Sequence, residues 1–187
     1  TSEFLKQCYV IGVGSLPLVG LTGFIMGLVL TMQLRPFMID YGVESQLPAI
    51  VGIAIVREIG PVITALIFAG KIGSSIGAEL GSMRVTEQID ALEVMGINAI
   101  NYLVFPKFIA MMLYPFVISI AMFLGIIGGM AACVYGGFST LDDYITGVQM
   151  DFIPFHMTYA FIKTFVFAFL LATIPSFYGY YMKGGAL

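Results

Sequence analysis

Charge, histidine and cysteine are scarce in this sequence, and their scarcity excludes a water-soluble domain. Only 10% of the 187 residues are charged, whereas 59% are hydrophobic and the mean hydropathy is +1.00. Such a composition leaves too little polar surface to cover a globule of this size in water. The sequence therefore predicts an all-α integral membrane protein, because long apolar runs cross a bilayer as helices.

The few reactive side chains give no sign of a metal site, a disulfide or a nucleic-acid surface. Cys8 and Cys133 lie far apart in apolar surroundings, and the single histidine, His156, has no second ligand at a metal-binding spacing. The net charge of −3 argues against nucleic acid as a partner.

Signatures of nucleotide binding and catalysis are also missing. No G-x-x-x-x-G-K-[ST] phosphate loop occurs, so we expect no ATP site in this chain. A membrane enzyme acting on lipids is disfavoured, because the one histidine has no histidine–carboxylate cluster around it. We expect no catalytic residue and no cofactor bound by this chain.

Long apolar stretches divide the chain into a short leading helix and four spans. Each span has about the 20 residues that a bilayer requires, and polar loops separate them. Arg35 and Pro36 are expected to end the first span. The predicted single membrane domain, residues 1–187, consists of an interfacial helix at 1–11, spans at 16–38, 49–81, 106–135 and 155–182, and a short helix at 86–95.

Basic residues near the span ends predict the orientation. Four of them fall on one side, namely Lys6, Arg84, Lys107 and Lys183. The positive-inside rule assigns that side to the cytoplasm. The loop at 136–152 has three aspartates and no basic residue, which suits the opposite side. We therefore expect the short helix at 86–95 to be cytoplasmic.

The second span carries a charged pair. Arg57 would cost about 2.5–3.5 kcal/mol if it faced lipid near the span centre, so Arg57 and Glu58 are expected to face protein or water. Pro61 has no N–H and leaves the carbonyl of Arg57 without its helical donor. Two interpretations stay open: an ion-pair network that holds helices together, and the polar lining of a substrate cavity.

Small residues follow the charged pair along the same span. On a helical wheel of about 100° per residue they form one narrow stripe, which consists of Gly70, Gly73, Ser74, Gly77 and Gly81. Such a stripe lets another helix approach closely in a membrane. The partner is either a helix of the same chain or a second copy.

The segment VTEQIDALEVMG predicts a helix that is too short to span. Thr86 is expected to cap its start, and Gly96 suits the left-handed position that ends a helix. One side of this helix is apolar and consists of Val85, Ile89 and Leu92. Another side is an acidic ridge of Glu87, Asp90 and Glu93. Either the acidic ridge is a solvated face, or the helix docks onto a partner.

The chain closely resembles the MlaE-type permeases, in the run REIGPVITALIFAGKIGSSIGAELGSMRVTEQIDALEVMG, in FIMGLVLTMQ before it and in YLVFPKFIA after it. These proteins are the membrane subunits of ABC transporters that move phospholipids for the Gram-negative envelope, with relatives in chloroplasts. The resemblance implies a homodimer in the bacterial inner membrane. It further implies a cytoplasmic ABC ATPase that binds ATP and magnesium, a periplasmic MCE-domain partner, and phospholipid as the cargo.

The resemblance also implies roles for individual residues. Residues 86–95 would be the coupling helix that fits a groove on the ATPase, with coupling residues Arg84, Thr86, Glu87, Gln88, Asp90, Ala91, Leu92 and Glu93. Arg57, Glu58 and Lys163 match charged positions at the lipid cavity of the family. Family members continue past a glycine-rich turn into a fifth span, and Gly184 and Gly185 look like the start of that turn.

Pattern and resemblance together predict a transporter subunit without chemistry of its own. The coupling helices would pass the motion of the ATPase to the second spans and to a lipid cavity between two permeases. The alternative is an ion-coupled secondary carrier that uses Glu58, Lys71 and Lys163 as a relay. The sequence has no evident internal inverted repeat of the kind that many such carriers contain.

Overall fold

A computed structural model describes residues 2–150 and 152–182. The structure is 88% helical, and the described residues include no strand. In chain order the α-helices of these ranges are α1 Ser2–Ile11, α2 Leu16–Asp40, α3 Leu47–Ala54, α4 Gly60–Phe68, α5 Ser74–Val85, α6 Gln88–Val94, α7 Phe105–Met111, α8 Tyr114–Tyr135, α9 Leu141–Met150 and α10 Pro154–Tyr180.

Four continuous helical stretches are long and apolar enough to cross a membrane. They are Gln7–Asp40, Glu44–Val85, Ile100–Tyr135 and Pro154–Tyr180, called spans 1 to 4 below. The prediction of an all-α membrane protein with four spans is thereby confirmed. Lys183 and the turn expected at Gly184 and Gly185 lie outside the described residues.

The bounds of the first two spans differ from the sequence interpretation. Arg35 and Pro36 do not end the first span, because α2 continues through Pro36 to Asp40. A proline near the end of a helix removes one backbone hydrogen bond, and a membrane helix tolerates this loss. The second helical stretch begins at Glu44 and ends at Val85, so it extends beyond the predicted 49–81 at both ends.

Three π-helical turns interrupt spans 2 and 3. They lie at Ile55–Ile59, Ala69–Gly73 and Ile100–Val104. A π turn closes i→i+5 hydrogen bonds and so contains more residues than an α turn, which changes the direction of the side chains that follow. Such turns are frequent at functional sites. Two of these three contain charged residues for which the sequence predicts a role in transport: Arg57 and Glu58 in the first, and Lys71 in the second.

Contacts divide the chain into two compact units. The first unit is Thr1–Ser15, Ala65–Pro115 and Phe165–Leu187, and the second is Leu16–Thr64 and Phe116–Thr164. The single membrane domain expected for residues 1–187 stays a prediction, and each unit is described by itself.

The core of the second unit lies where α3 packs against α9. Its buried residues are Leu47, Val51, Ile55, Cys133 and Tyr144. The Tyr144 hydroxyl donates to the carbonyl of Ile126 at 3.1 Å, which satisfies the polar end of a ring that is only 1% exposed. Burial raises the pKa of this hydroxyl, so it stays a donor.

Glycines bring α2 and α8 of the second unit into backbone contact. A Cβ atom built on Gly27 would lie 1.8 Å from the carbonyl oxygen of Gly125, and one on Gly128 would lie 2.1 Å from the carbonyl oxygen of Phe24. Both positions therefore require glycine, because real Cβ atoms do not approach backbone atoms so closely. In membranes, small residues at such crossings supply the close packing that holds helices together.

The first unit is held by aromatic, ionic and apolar contacts. α1 packs against α7, and Phe68 meets Tyr114 edge to face with ring centroids 4.8 Å apart. Ile89 of α6 is fully buried and forms a small core with Ala99 and Tyr180. The short helix predicted at 86–95 therefore has an apolar side that packs onto its own unit.

Candidate functional site

The start of α6 is formed by a tight turn after α5. The hydroxyl of Thr86 donates to the carbonyl of Ser82 at 2.8 Å, so Thr86 ends α5. The prediction that Thr86 caps the following helix is wrong: α6 begins at Gln88, and its N-cap residue is Glu87. Glu87 has a φ of 58°, a left-handed conformation that costs a non-glycine residue roughly 1–2 kcal/mol.

The end of α6 is formed by Gly96, in the left-handed conformation that its sequence predicts. Its φ is 76°. The amide of Gly96 donates to the carbonyl of Glu93 at 3.0 Å, and the amide of Ile97 donates to the carbonyl of Leu92 at 3.0 Å. This pair of hydrogen bonds is the Schellman motif, which satisfies the last carbonyls of a helix.

The predicted coupling residues lie on the outer surface of this turn and helix. Arg84 and Leu92 are half-buried; the exposed ones are Thr86, Glu87, Gln88, Asp90, Ala91 and Glu93. Beyond them, Val94 is 89% exposed and Met95 is 65% exposed. These two apolar side chains extend the exposed surface of α6 past the end of the helix.

Two side-chain hydrogen bonds fasten α6 to the ends of spans 2 and 4. Arg84 at the end of span 2 donates to Asp90 at 2.6 Å, and the hydroxyl of Tyr180 at the end of span 4 donates to Glu93 at 2.7 Å. Tyr180 was missed by sequence reasoning. An aromatic residue near a span end was the available signal, but nothing local pairs it with a residue 87 positions away.

Removal of the Tyr180 hydroxyl is expected to loosen α6. A hydrogen bond to a charged group contributes about 1.5–3 kcal/mol, so Tyr180→Phe should make amide hydrogen exchange across α6 at least about tenfold faster. The matched control is Tyr181→Phe, because the Tyr181 hydroxyl has no hydrogen-bond partner among the described residues. Equal exchange rates in the two variants would contradict the role given to Tyr180.

The predicted charged residues of spans 2 and 4 meet in the second unit. The Lys163 ammonium donates to Glu58 at 2.6 Å and to the carbonyl of Arg57 at 3.3 Å. That carbonyl is the one that Pro61 leaves without its helical donor. The Arg57 guanidinium lies 3.5 Å from the other oxygen of Glu58, so the three charged groups form one cluster.

Tyr159 completes this charged cluster. Its ring centroid lies 4.5 Å from the Lys163 ammonium and 5.4 Å from the Arg57 guanidinium, within the range of cation–π contacts. Tyr159 was missed by sequence reasoning, although it precedes Lys163 by one helical turn and so shares its face. The side chains of Arg57 and Glu58 are 47% and 52% exposed, so the cluster opens outward from the unit.

Lys71, a member of the relay in the ion-coupled alternative, is bound locally in the first unit. Its ammonium donates to the carbonyl of Gly14 at 2.6 Å and to the hydroxyl of Ser15 at 3.2 Å. These bonds fix the short turn between α1 and α2. The observed partners of Lys71 thus give it a structural role.

The predicted stripe of small residues divides into two parts. Gly73 and Gly77 lie against Pro175, and a Cβ on Gly81 would be 2.9 Å from the sulfur of Met182. The neighbours of these three glycines are therefore span 4 and the residue two positions after its end. Gly70 has nothing within 4 Å of an added Cβ, and Ser74 is exposed and donates to the carbonyl of Gly70.

The π turn at Ala69–Gly73 explains why Gly70 lies apart from Gly73, Gly77 and Gly81. The helical wheel assumes a uniform α-helix, whereas the π turn shifts Gly70 out of phase with the residues that follow. Residues 73–77, GSSIG, also match the G-x-S-x-G pattern of hydrolase nucleophiles. That pattern acts in a strand-to-helix turn, and here it lies inside a continuous helix.

Four spans, a charged cluster within them and an exposed helix fastened to two of them define a multi-pass membrane protein. Residues 4–187 match the family described as Permease MlaE, and the chain belongs to this family. The resemblance identified from the sequence is confirmed.

Named relatives agree with this family. A probable ABC transporter permease protein of Rickettsia bellii is 38% identical over 186 residues, which cover 99% of this chain and 72% of the relative. The intermembrane phospholipid transport system permease protein MlaE of Haemophilus influenzae is 35% identical over 183 residues, covering 94% of this chain and 68% of the relative. A probable ABC transporter permease protein of Porphyra purpurea is 48% identical over 107 residues, which cover 57% of this chain and 41% of the relative.

Proposed function

We propose that this chain is the membrane subunit of an ABC transporter that moves phospholipids between the bacterial inner membrane and a periplasmic MCE-domain protein, and so maintains outer-membrane lipid asymmetry. Two copies of the chain form the transporter, and a separate cytoplasmic ATPase binds ATP and magnesium. Family membership and the role named for the Haemophilus influenzae relative support this proposal.

The surface of α6 is the observation that carries the ATPase contact. Asp90 and Glu93 fasten α6 to spans 2 and 4, while Val94 and Met95 at its end are exposed. A groove on the ATPase would cover these apolar side chains. Because α6 is bonded to two spans, a displacement of α6 by the ATPase would move both.

The charged cluster supports an anionic headgroup as the cargo. Two positive groups, Arg57 and Lys163, face one carboxylate, Glu58, so one positive charge remains. The phosphate of a phospholipid would neutralise it, and the exposed guanidinium suits bidentate binding to phosphate oxygens. Charges that are exposed inside a span require protein or water around them, and a second copy of the chain would enclose them.

Reversal of charge on α6 tests the ATPase contact. Asp90→Lys and Glu93→Lys should lower ATPase co-purification or lipid-stimulated ATP turnover by at least about tenfold, since each breaks a hydrogen bond to a charged group, worth about 1.5–3 kcal/mol, and so releases α6 from a span. Asp142→Lys is the matched control, because Asp142 is an exposed acid in the first turn of another short helix, α9.

A wild-type complex with wild-type turnover in both α6 variants would contradict the coupling role. Transport that runs on a proton gradient without ATP would instead support the ion-coupled carrier. Retained turnover together with lost phospholipid transport would assign the defect to the spans.

A further inference from the structure

A cavity of about 350 Å³ with both polar and apolar walls lies in the first unit. Gln7 of α1, Glu79 of α5, Tyr102 and Lys107 supply its polar groups, and apolar side chains such as Met83 complete its walls. Its volume lies in the range of small-molecule sites, roughly 300–1,000 Å³. None of these residues belongs to the charged cluster at Arg57, Glu58 and Lys163.

The cavity contains an ion pair with unequal exposure. The Lys107 ammonium donates to Glu79; the Lys107 side chain is only 3% exposed, whereas the Glu79 side chain is 46% exposed. An ammonium has three N–H donors, and Glu79 uses one of them. A buried cation with donors to spare is costly unless an acceptor reaches it, and the cavity gives such an acceptor room.

Two more polar groups are available in the same cavity. Within the described parts of the chain, neither the Gln7 amide nor the Tyr102 hydroxyl has a hydrogen-bond partner. Tyr102 is 58% exposed, so its hydroxyl is accessible. The cavity therefore offers a cationic donor, a carboxylate acceptor and two neutral polar groups within one pocket.

The cavity also lies near span ends. Glu79 precedes the end of span 2 at Val85 by about 9 Å of helix, and Lys107 follows the start of span 3 at Ile100 by about 10 Å. The 42 residues of span 2 correspond to about 63 Å of helix, more than the 40–45 Å of a whole bilayer with its headgroups. Residues this close to its end therefore lie near the headgroup layer.

We propose that this cavity binds the headgroup of an ethanolamine-type phospholipid of the surrounding bilayer. The phosphate accepts from the Lys107 ammonium, and the primary ammonium of the lipid donates to the exposed carboxylate of Glu79. The order of charges in the pocket, a buried cation and an outer anion, matches the order of phosphate and ammonium in the headgroup.

The same geometry disfavours other common headgroups. A glycerol headgroup carries the phosphate but no ammonium, so it leaves Glu79 unmatched and repelled by the lipid. A choline headgroup has no N–H to donate and is bulkier. The site therefore selects a primary ammonium, and this selection depends on Glu79.

The test is lipid retention by the full-length protein in nanodiscs of equal phosphatidylethanolamine, phosphatidylglycerol and phosphatidylcholine, measured by native mass spectrometry. The wild-type protein should retain phosphatidylethanolamine preferentially. Glu79→Gln keeps an oxygen for Lys107 but loses the carboxylate charge, so the ratio of retained phosphatidylethanolamine to phosphatidylglycerol should fall roughly tenfold. Lys107→Met should abolish retention of both lipids at this site.

Glu44→Gln is the matched control, because Glu44 is also paired with a cation, Arg35, and its side chain is 43% exposed. It should leave the ratio unchanged. An unchanged ratio in a folded Glu79→Gln protein overturns the proposal. A ratio that shifts in Glu58→Gln alone assigns the lipid to the charged cluster, which overturns this site and leaves the proposed transport function intact.

Discussion

Replacement of Gly27 with alanine is expected to destabilise the folded protein by about 3 kcal/mol or more, the upper end of the usual cost of overpacking. The added Cβ would lie 1.8 Å from the carbonyl oxygen of Gly125 and 2.7 Å from its carbonyl carbon. Both are backbone atoms, so no side chain can rotate away. α2 and α8 would have to separate, and their packing against each other would be lost. Thermal unfolding of the purified protein in detergent measures the effect.

The control for Gly27→Ala is Gly70→Ala. Gly70 also lies within a span, but nothing is within 4 Å of a Cβ placed there. Alanine should therefore be neutral or stabilising by up to about 1 kcal/mol, because glycine is the less favourable residue in a helix. Equal losses of stability in the two variants would show that the α2–α8 contact is not the cause.

Lys163→Met is expected to leave Arg57 as the cationic partner of Glu58 and to lower phospholipid transport. Glu58 would lose its 2.6 Å partner, and the Arg57 carbonyl would lose its donor. Glu58 would keep its 3.5 Å contact with Arg57, so the cluster would become neutral and lose the surplus positive charge that faces a phosphate. Co-purifying phospholipid and transport into acceptor vesicles measure the result.

The double variant Glu58→Gln/Lys163→Met separates the two interpretations of the cluster. It removes one charge of each sign and keeps Arg57, so the cluster retains the single net positive charge that it has in the wild-type protein. If the cluster binds phospholipid, transport should stay at least about tenfold below wild type, because one of the two cations near the phosphate is gone. Wild-type transport and lipid content in the double variant would show that the cluster only holds helices together.

The spans could be predicted because their signal is local. Four apolar runs of sufficient length define them, and the left-handed end of α6 follows from the glycine at position 96. The π turns could not be predicted, because one surplus residue in a turn leaves no mark in hydropathy. The left-handed Glu87 and the passage of α2 through Pro36 depend on packing that composition does not encode.

The candidate site was predictable in part. Pro61 indicated a free carbonyl at Arg57, and Lys163 donates to it. The sequence could not identify Lys163 as the donor, because the two residues are 106 positions apart and only the fold brings them together. The same holds for Tyr180 and Glu93. The roles of the coupling and cavity residues stay predictions until the variants above are measured.

Because of the π turn at Ala69–Gly73, the packing of span 2 depends on the number of residues in that turn as well as on their identity. Loss of a single residue from that turn would convert it to an α turn and rotate all that follows by about 100°. Gly77 and Gly81 would then leave Pro175 and Met182, although both glycines are still present. Within this part of span 2, a deletion is therefore more damaging than most substitutions, and alignments of relatives should place no gaps there.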